Sequence, residues 1–359
     1  MDMASSLTKD LEFRIPLVES DTSHYCRCNG KKKQLLSKED IPASWIESFQ
    51  RDGFILVPNV VASQEAVNTL NDRLEDVLRG NYDRRRKPDK TPRLLKGTKP
   101  TISTTNTSSI HHTTNGNQPT TSKKEKKKKE VGAIGFSGNF QNVRVLQIIN
   151  IHKADSVYRR FETDPNLAKL VACLAGWEQG ARLAQDQVWA KPPGAPPLVF
   201  HRDSPYFMFT PSDVVTVWLA MDDMDEELGP LEYVKSSHIW GDGRKGSANQ
   251  FFQSTNPKHL VESAANYEGI TLDQLEFVSL AGIPAGSMSI HDGKIWHGSG
   301  KNRSMSRPRR GLGLHFVPAN VRFTHAAAKS SLWKSYVNPE KDPSEMELPE
   351  EDFPLSAPS

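Results

Sequence analysis

The stretch PLVFHRDSPYF, residues 197–207, sets an imidazole and a carboxylate two positions apart within a run of apolar and aromatic groups. In an extended strand residues i and i+2 project to one face. His201 and Asp203 are therefore expected side by side, with Arg202 turned away. Two histidines and one carboxylate form the facial ligand set of non-haem Fe(II) oxygenases, which leaves the opposite face of the metal open to small molecules. His-x-Asp supplies two of those ligands. Alone, the pair is a weak signal that a polar edge strand gives by chance.

A second histidine must come from elsewhere, and His238, His291, His297 and His315 are the candidates outside expected loops and tails. His297 stands out because it enters a Gly-rich turn, IWHGSGKN, and an arginine pair opens the next strand 12 residues on. An iron oxygenase that consumes a 2-oxo acid needs a cation deep in its pocket for the distant carboxylate. Arginine suits this, because its fork is always charged and binds carboxylate bidentately. Strand parity chooses between the two arginines. Arg309 shares a face with Gly311, Gly313 and His315, where there is room for a ligand, whereas Arg310 shares one with Leu312, Leu314 and Phe316, a packing face.

The elements that would position these groups follow from pattern. Trp45, Ile46 and Phe49 suit one face of a short helix ended by Gly53, and FILVP reads as a strand. Ser63 caps a helix through Leu78 whose stripe is Val67, Leu70, Leu74, Val77 and Leu78. NVRVLQIINIH reads as a strand and NLAKLVACLAGW as a helix. Then come the strands ARLAQDQVWAK, LVFHRD, VVTVWLAM, GPLEYV, GSMSIH and RRGLGLHFVP, separated by turn chemistry such as KPPGAPP and DDMDEELGP. Helices followed by six or more strands without long intervening helices argue for an α+β fold with an antiparallel sheet pair or barrel.

The chain has 359 residues and a formal charge of +3, but residues 84–130 carry 14 Lys/Arg against 3 Asp/Glu, so the remainder is acidic, near −8. The basic balance describes one insert and not a nucleic-acid-binding surface. Residues 84–131, rich in Thr, Ser, Asn and Lys, cannot bury enough apolar surface to offset ordering and are expected to be disordered. Residues 1–36 are expected to be a loose N-terminal segment, 37–83 the helical part of the main domain, 132–320 its core and 321–359 a C-terminal tail. No run of 18 apolar residues exists, and neither a secretory start nor a Ser-Lys-Leu ending is seen. Cys26, Cys28 and Cys173 make no disulfide framework, which fits a reducing intracellular setting. Cytoplasm is the expected compartment, with nucleus or peroxisome as alternatives.

Taken together, HRDSPYFMFTPSDVVTVWLAMDDMDEELGPLEYVKSSH, AGSMSIHDGKIWHGSGKNRSMSRPRRGLGLHF and FQRDGFILVPNVV resemble the phytanoyl-CoA dioxygenase family of Fe(II)/2-oxoglutarate oxygenases. The resemblance covers roughly 40–82 and 132–320, about two-thirds of the chain. It implies a double-stranded β-helix (jelly-roll, cupin-like) core flanked by helices. It implies that His201, Asp203 and His297 ligate iron, that Arg309 holds the distal carboxylate of 2-oxoglutarate with help from Ser299, and that Gln187 and Trp218 line the cosubstrate pocket. Leu228-Gly229 and Ser236-Ser237-His238 depart from the family's usual Asn-Gly and Gly-Ser-His, which bears on substrate and not on chemistry. Asp203 occupies the position that halogenating relatives give to a small residue, so halogenation is not expected.

The implied reaction uses Fe(II), 2-oxoglutarate and O2, releases succinate and CO2, and hydroxylates a small organic substrate or an acyl-CoA. Ring closure, desaturation or epimerisation at the same residues is the first alternative. A non-catalytic jelly-roll binding protein is the second. The expected partner is a small molecule, with no nucleic acid and no membrane.

Overall fold

The computed structural model describes residues 36, 38–57, 62–91, 146–241 and 256–358. Its helices are α1 (Ala43–Asp52), α2 (Gln64–Leu78), α3 (Ser156–Glu162), α4 (Pro165–Ala175) and α5 (His259–Tyr267). Its strands are β1 (Phe54–Leu56), β2 (Leu146–Ile149), β3 (Gly180–Lys191), β4 (Leu198–His201), β5 (Phe209–Thr210), β6 (Val215–Ala220) and β7 (Leu231–Val234). They continue as β8 (Phe277–Ser279), β9 (Met288–Asp292), β10 (His297–Ser299), β11 (Arg309–Pro318), β12 (Arg322–Phe323) and β13 (Leu355–Pro358).

Local chemistry accounts for the helix boundaries. Gly53 takes a left-handed φ of 83° and returns its N–H to the Phe49 carbonyl, which ends α1. Ser63 accepts from the Ala66 N–H at the start of α2, as its position in the sequence leads one to expect. Asp164 caps α4 ahead of Pro165, and Gly176 closes it.

The strands form a seven-stranded antiparallel sheet in the order β1-β9-β6-β11-β3-β13, with β2 also on β3, and a four-stranded sheet in the order β4-β10-β7-β8. Every pairing is antiparallel. Parity then divides the large sheet into two faces. Val215, Val217, Ile290, Leu312, Leu314 and Phe316 join Trp45, Phe49, Leu70, Leu74, Leu170 and Leu174 of the helices in one buried cluster. Each such aliphatic or aromatic burial stabilises the fold by about 1.5–3 kcal/mol. The other face carries Thr216, Trp218, His291, Arg309, Gly311 and His315 at the intervening positions, and it looks towards the four-stranded sheet across a cavity.

Three features differ from the sequence reading. First, β4 stops at His201, and Asp203 sits beyond it in an αR turn, φ −79° and ψ −43°. The turn is fixed by the N–H groups of Asp203 and Ser204, which both donate to the Gly293 carbonyl at 2.9 Å, with Pro205 following. Second, residues 84–91, assigned to the basic insert, are described and pack onto the domain: Lys90 bridges Ile149, Arg84 meets Glu351 and Arg86 meets Asp352. Third, residues from 321 onward are no appendage. Phe323, Trp333 and Phe353 form a buried aromatic cluster with Phe207 and Phe209, and β13 pairs with β3. The rest of the insert, and Cys26 and Cys28, lie outside the described residues.

Candidate active site

His201 ends β4 and His297 begins β10, and the two are direct partners across the small sheet, with ring centroids 4.3 Å apart. The turn after β4 brings Asp203 back between them. One ligand atom from each of His201, Asp203 and His297 lies within 4.8 Å of the others. Nε2 of His201 is 3.6 Å and Nε2 of His297 is 3.7 Å from Asp203 Oδ1.

The protons on these groups are placed by their second contacts. Nδ1 of His201 donates to the Val199 carbonyl at 2.9 Å and Nδ1 of His297 donates to the Ile295 carbonyl at 3.1 Å. Each ring therefore presents Nε2 as a lone pair. Burial disfavours imidazolium and pulls both pKa values down to about 4, so both rings are neutral at neutral pH. Asp203 lies well below the usual carboxylate range although burial alone would push it up. Two lone pairs and a carboxylate oxygen thus face one another with no proton between them. Such a set fits a divalent cation.

The other oxygen of Asp203 is tied behind the site. Oδ2 accepts from Thr216 Oγ1 at 2.8 Å and lies 3.3 Å from His291 Nε2. Thr216 Oγ1 in turn accepts from His315 Nδ1 at 2.8 Å, and Tyr233 Oη meets His291 Nδ1 at 3.0 Å. These contacts fix which oxygen turns towards the imidazoles.

A second feature lies along the same wall. Arg309, 3% exposed, stands directly opposite Lys191, 1% exposed, in the β11/β3 register. Neither has a carboxylate within ion-pair distance among the described residues. Lys191 Nζ lies 3.2 Å from Ser299 Oγ and also donates to the Gly300 carbonyl. Burial lowers Arg309 to about 10, which leaves it charged at neutral pH, and burial beside Arg309 pushes Lys191 well below its ordinary value. A buried guanidinium, an amine and a hydroxyl with no acid at ion-pair distance make a site that fits an anion.

The cavity that joins these features has a volume of about 730 Å³, and its walls include Phe207, Met208, Trp218 and Leu231. The indole of Trp218 lies so close over Gly311 that a β-carbon there would fall 2.6 Å from its ring. Of the residues singled out in the sequence, His201, Asp203, His297, Arg309, Gln187 and Trp218 line this cavity, and Ser299 touches it through Lys191. Arg310 points away and binds Asp222. His291 and His315 lie behind Asp203, whereas His238 is remote, its Nε2 at the Gln50 carbonyl. Lys191 and Thr216 were not anticipated. Parity held the signal for Lys191, which shares a strand face with Gln187 in QVWAK.

Comparison with known proteins decides the kinship. The family model described as phytanoyl-CoA dioxygenase (PhyH) matches residues 49–311, well over half of the chain. This chain belongs to the phytanoyl-CoA dioxygenase family. Among relatives of that family, a phytanoyl-CoA dioxygenase of Arabidopsis thaliana is 24% identical over 195 residues, 53% of this chain and 64% of the relative. A probable alpha-ketoglutarate-dependent hypophosphite dioxygenase of Stutzerimonas stutzeri is 27% identical over 145 residues, 40% of this chain and 47% of that protein. The match thus spans less than two-thirds of either relative's length. Among solved structures, the non-haem alpha-ketoglutarate-dependent epimerase SnoN from nogalamycin biosynthesis superposes with a TM-score of 0.56 at 18% identity, covering 87% of this chain and 97% of SnoN. The carbocyclase SnoK from the same biosynthesis gives 0.56 at 18%, covering 90% and 99%. At that identity the likeness shows the shared fold, an α+β protein with a cupin-like antiparallel core.

Proposed function

We propose that this chain is an Fe(II)- and 2-oxoglutarate-dependent dioxygenase that hydroxylates a small organic substrate and releases succinate and CO2. One observation carries the reading: His201, Asp203 and His297 converge in a buried, proton-free cluster at one side of a cavity whose wall also holds the buried Arg309–Lys191 pair. In this reading the three side chains ligate Fe(II). The iron, once bound, supplies the oxidising chemistry with O2 and the keto acid.

The protein's own share is positioning. Arg309 binds the distal carboxylate of 2-oxoglutarate, with Lys191 and Ser299 completing the anion site. Trp218 and Leu231 wall the cosubstrate, and Gln187 lines the neighbouring stretch of β3. Thr216 and His291 hold Asp203 so that one oxygen stays turned towards the metal position. Burial of the ligands keeps bulk water from the reacting atoms. The carboxylate of Asp203 occupies the third ligand position and argues against halogenation.

Hydroxylation, cyclisation, desaturation and epimerisation would all use these residues, and product analysis separates them. No helix among the described residues is long and apolar enough to cross a membrane. An intracellular, cytoplasmic setting with a small-molecule partner is part of the proposal. So is a single oxygenase unit, to which 84–91 and 321–358 belong together with the helical part and the core.

The experiment is a turnover assay. Protein stripped with a chelator should form no succinate from 2-oxoglutarate in air, and Fe(II) should restore formation while Zn(II) should not. Binding of 2-oxoglutarate without any succinate would favour a non-catalytic binding protein.

A further inference from the structure

The cavity lining carries basic groups at two places. One is the Arg309–Lys191 pair, taken by the keto diacid in the reading above. The other is Lys90, an exposed residue that lines the same cavity.

Lys90 is fixed in place. Its N–H donates to the Ile149 carbonyl at 3.4 Å and its carbonyl accepts from the Ile149 N–H at 3.0 Å, while the Asp89 N–H donates to the same Ile149 carbonyl at 2.9 Å. These bonds seat the residue along the edge of β2. Its Nζ donates to Gln147 Oε1 at 2.5 Å, and Gln147 Nε2 donates to Gln187 Oε1 at 2.7 Å, so the amine is held against the cavity-lining amides. An ammonium has three donors, and this contact uses one.

The acid next to it is already matched. Both oxygens of Asp89 meet Lys153 Nζ, at 3.2 and 3.0 Å, and Asp89 also accepts from Asn150 Nδ2 and from the Tyr336 hydroxyl. Asp352, the second acid on Lys153, pairs with Arg86 as well. Among the described cavity-lining residues the one other acid is Asp203, at the metal position. Desolvation lowers the Lys90 pKa, and no acid among the described residues offsets it. An anion brought into the cavity would.

The register sets how far that anion stands from the chemistry. Lys90 is opposite Ile149, Ile149 opposite Gln187, and Gln187 opposite Gly313, so Lys90 lies three strand spacings from β11, roughly 14 Å. His315, two residues on from Gly313, reaches Asp203 through Thr216. The ring of Phe207 lies 5.0 Å from that of His315, and Met208 and Leu332 join it in the apolar lining. The exposed Ser331 and Ser335 also line the cavity, on the segment that the Tyr336–Asp89 bond ties to Lys90.

We propose that the molecule oxidised by this enzyme carries an anionic group, a carboxylate or a phosphate, which Lys90 receives while the apolar part lies along Phe207 towards the metal position. This rests on the oxygenase reading of the site, and the test keeps the two apart.

Full-length protein loaded with Zn(II) and saturating 2-oxoglutarate is titrated calorimetrically with hexanoate, hexyl phosphate and hexanamide. At least one anion should bind about threefold to tenfold more tightly than the amide; preference for hexanoate assigns a carboxylate, preference for hexyl phosphate a phosphate. Lys90→Met, which keeps the apolar stem of an exposed side chain, should erase that preference and leave the affinities for hexanamide and 2-oxoglutarate unchanged. Lys90→Arg should keep it. Hexanamide binding as tightly as both anions, or a preference that survives in Lys90→Met, would overturn the proposal. So would weakened 2-oxoglutarate binding in Lys90→Met, which would give Lys90 to the cosubstrate. An anion preference that depends on Lys90 in a protein that binds no 2-oxoglutarate would instead sink the oxygenase reading and leave the anion site standing.

Discussion

The anion end of the cavity depends on single side chains whose contributions can be measured. Arg309 is the charged group without an acid partner, so replacing it removes a charge-assisted contact worth about 1.5–3 kcal/mol. Arg309→Gln should raise the KM for 2-oxoglutarate on the order of 10- to 100-fold with a smaller change in kcat; steady-state succinate formation at varied 2-oxoglutarate checks this, and an unchanged KM would move the anion site elsewhere. Thr216 acts through Asp203. Losing its hydroxyl in Thr216→Val frees Oδ2 to rotate, and such supporting contacts are worth about 10–100-fold in metal affinity. Titration of stripped protein with Co(II) should show that loss while circular dichroism is unchanged. At this scale the sequence was informative where chemistry is rare. His-x-Asp, His-Gly-Ser and the Arg309 parity argument each found a cavity residue. Thr216 was illegible because a threonine in VVTVWLAM reads as an ordinary strand residue until the register places it beside His315 and Asp203.

Among elements, the strands of the large sheet other than β13 were legible from their runs of apolar residues, and Leu312, Leu314 and Phe316 do fill the core face. The short strands β5, β10 and β12, of two or three residues, leave no period to read. Asp203 shows the cost of reading on past a strand's end. It meets His201 through a turn held by the Gly293 carbonyl, a contact 90 residues away in sequence. Helix α3 packs Glu162 onto β3, where both of its oxygens are buried beside Asp186. Asp186 already accepts the N–H groups of Ile151 and His152 and the His152 ring. Burial and the Asp186 charge raise Glu162 well above the usual carboxylate range, so it is a neutral acid in the fold. The unfolded chain releases that proton above its ordinary value of 4.5, so the folded state binds one more proton than the unfolded state there and stability falls as pH rises. The slope is about 1.4 kcal/mol per pH unit until the folded group also ionises. Glu162→Gln should remove this slope above about pH 5, measured as urea midpoints across pH. An unchanged slope would mean that Glu162 is ionised in the fold.

At the scale of the molecule, the segment after α2 and the C-terminal residues of the described chain pack on one another. Arg84 and Arg86 meet Glu351 and Asp352, and Trp333 donates its indole N–H to the Tyr206 carbonyl just beyond the Asp203 turn. Ser330, Leu332 and Ser335 reach the cavity wall, so the segment after β11 shapes the cavity. Trp333→Ala should cost about 3–5 kcal/mol of stability and widen the cavity mouth, read as a lowered urea midpoint and a raised substrate KM. A midpoint unchanged from wild type would show that this segment is dispensable. The proposed enzyme depends above all on a ferrous ion held by His201, Asp203 and His297 at one end of a keto-acid site. The most direct measurement is anaerobic addition of Fe(II) and 2-oxoglutarate to the full chain, followed by visible absorption. One equivalent of iron should give a weak band that needs both additions and that His297→Ala lacks while keeping the native circular dichroism spectrum. A featureless spectrum from the wild-type protein, or an unaltered band in His297→Ala, would contradict the account.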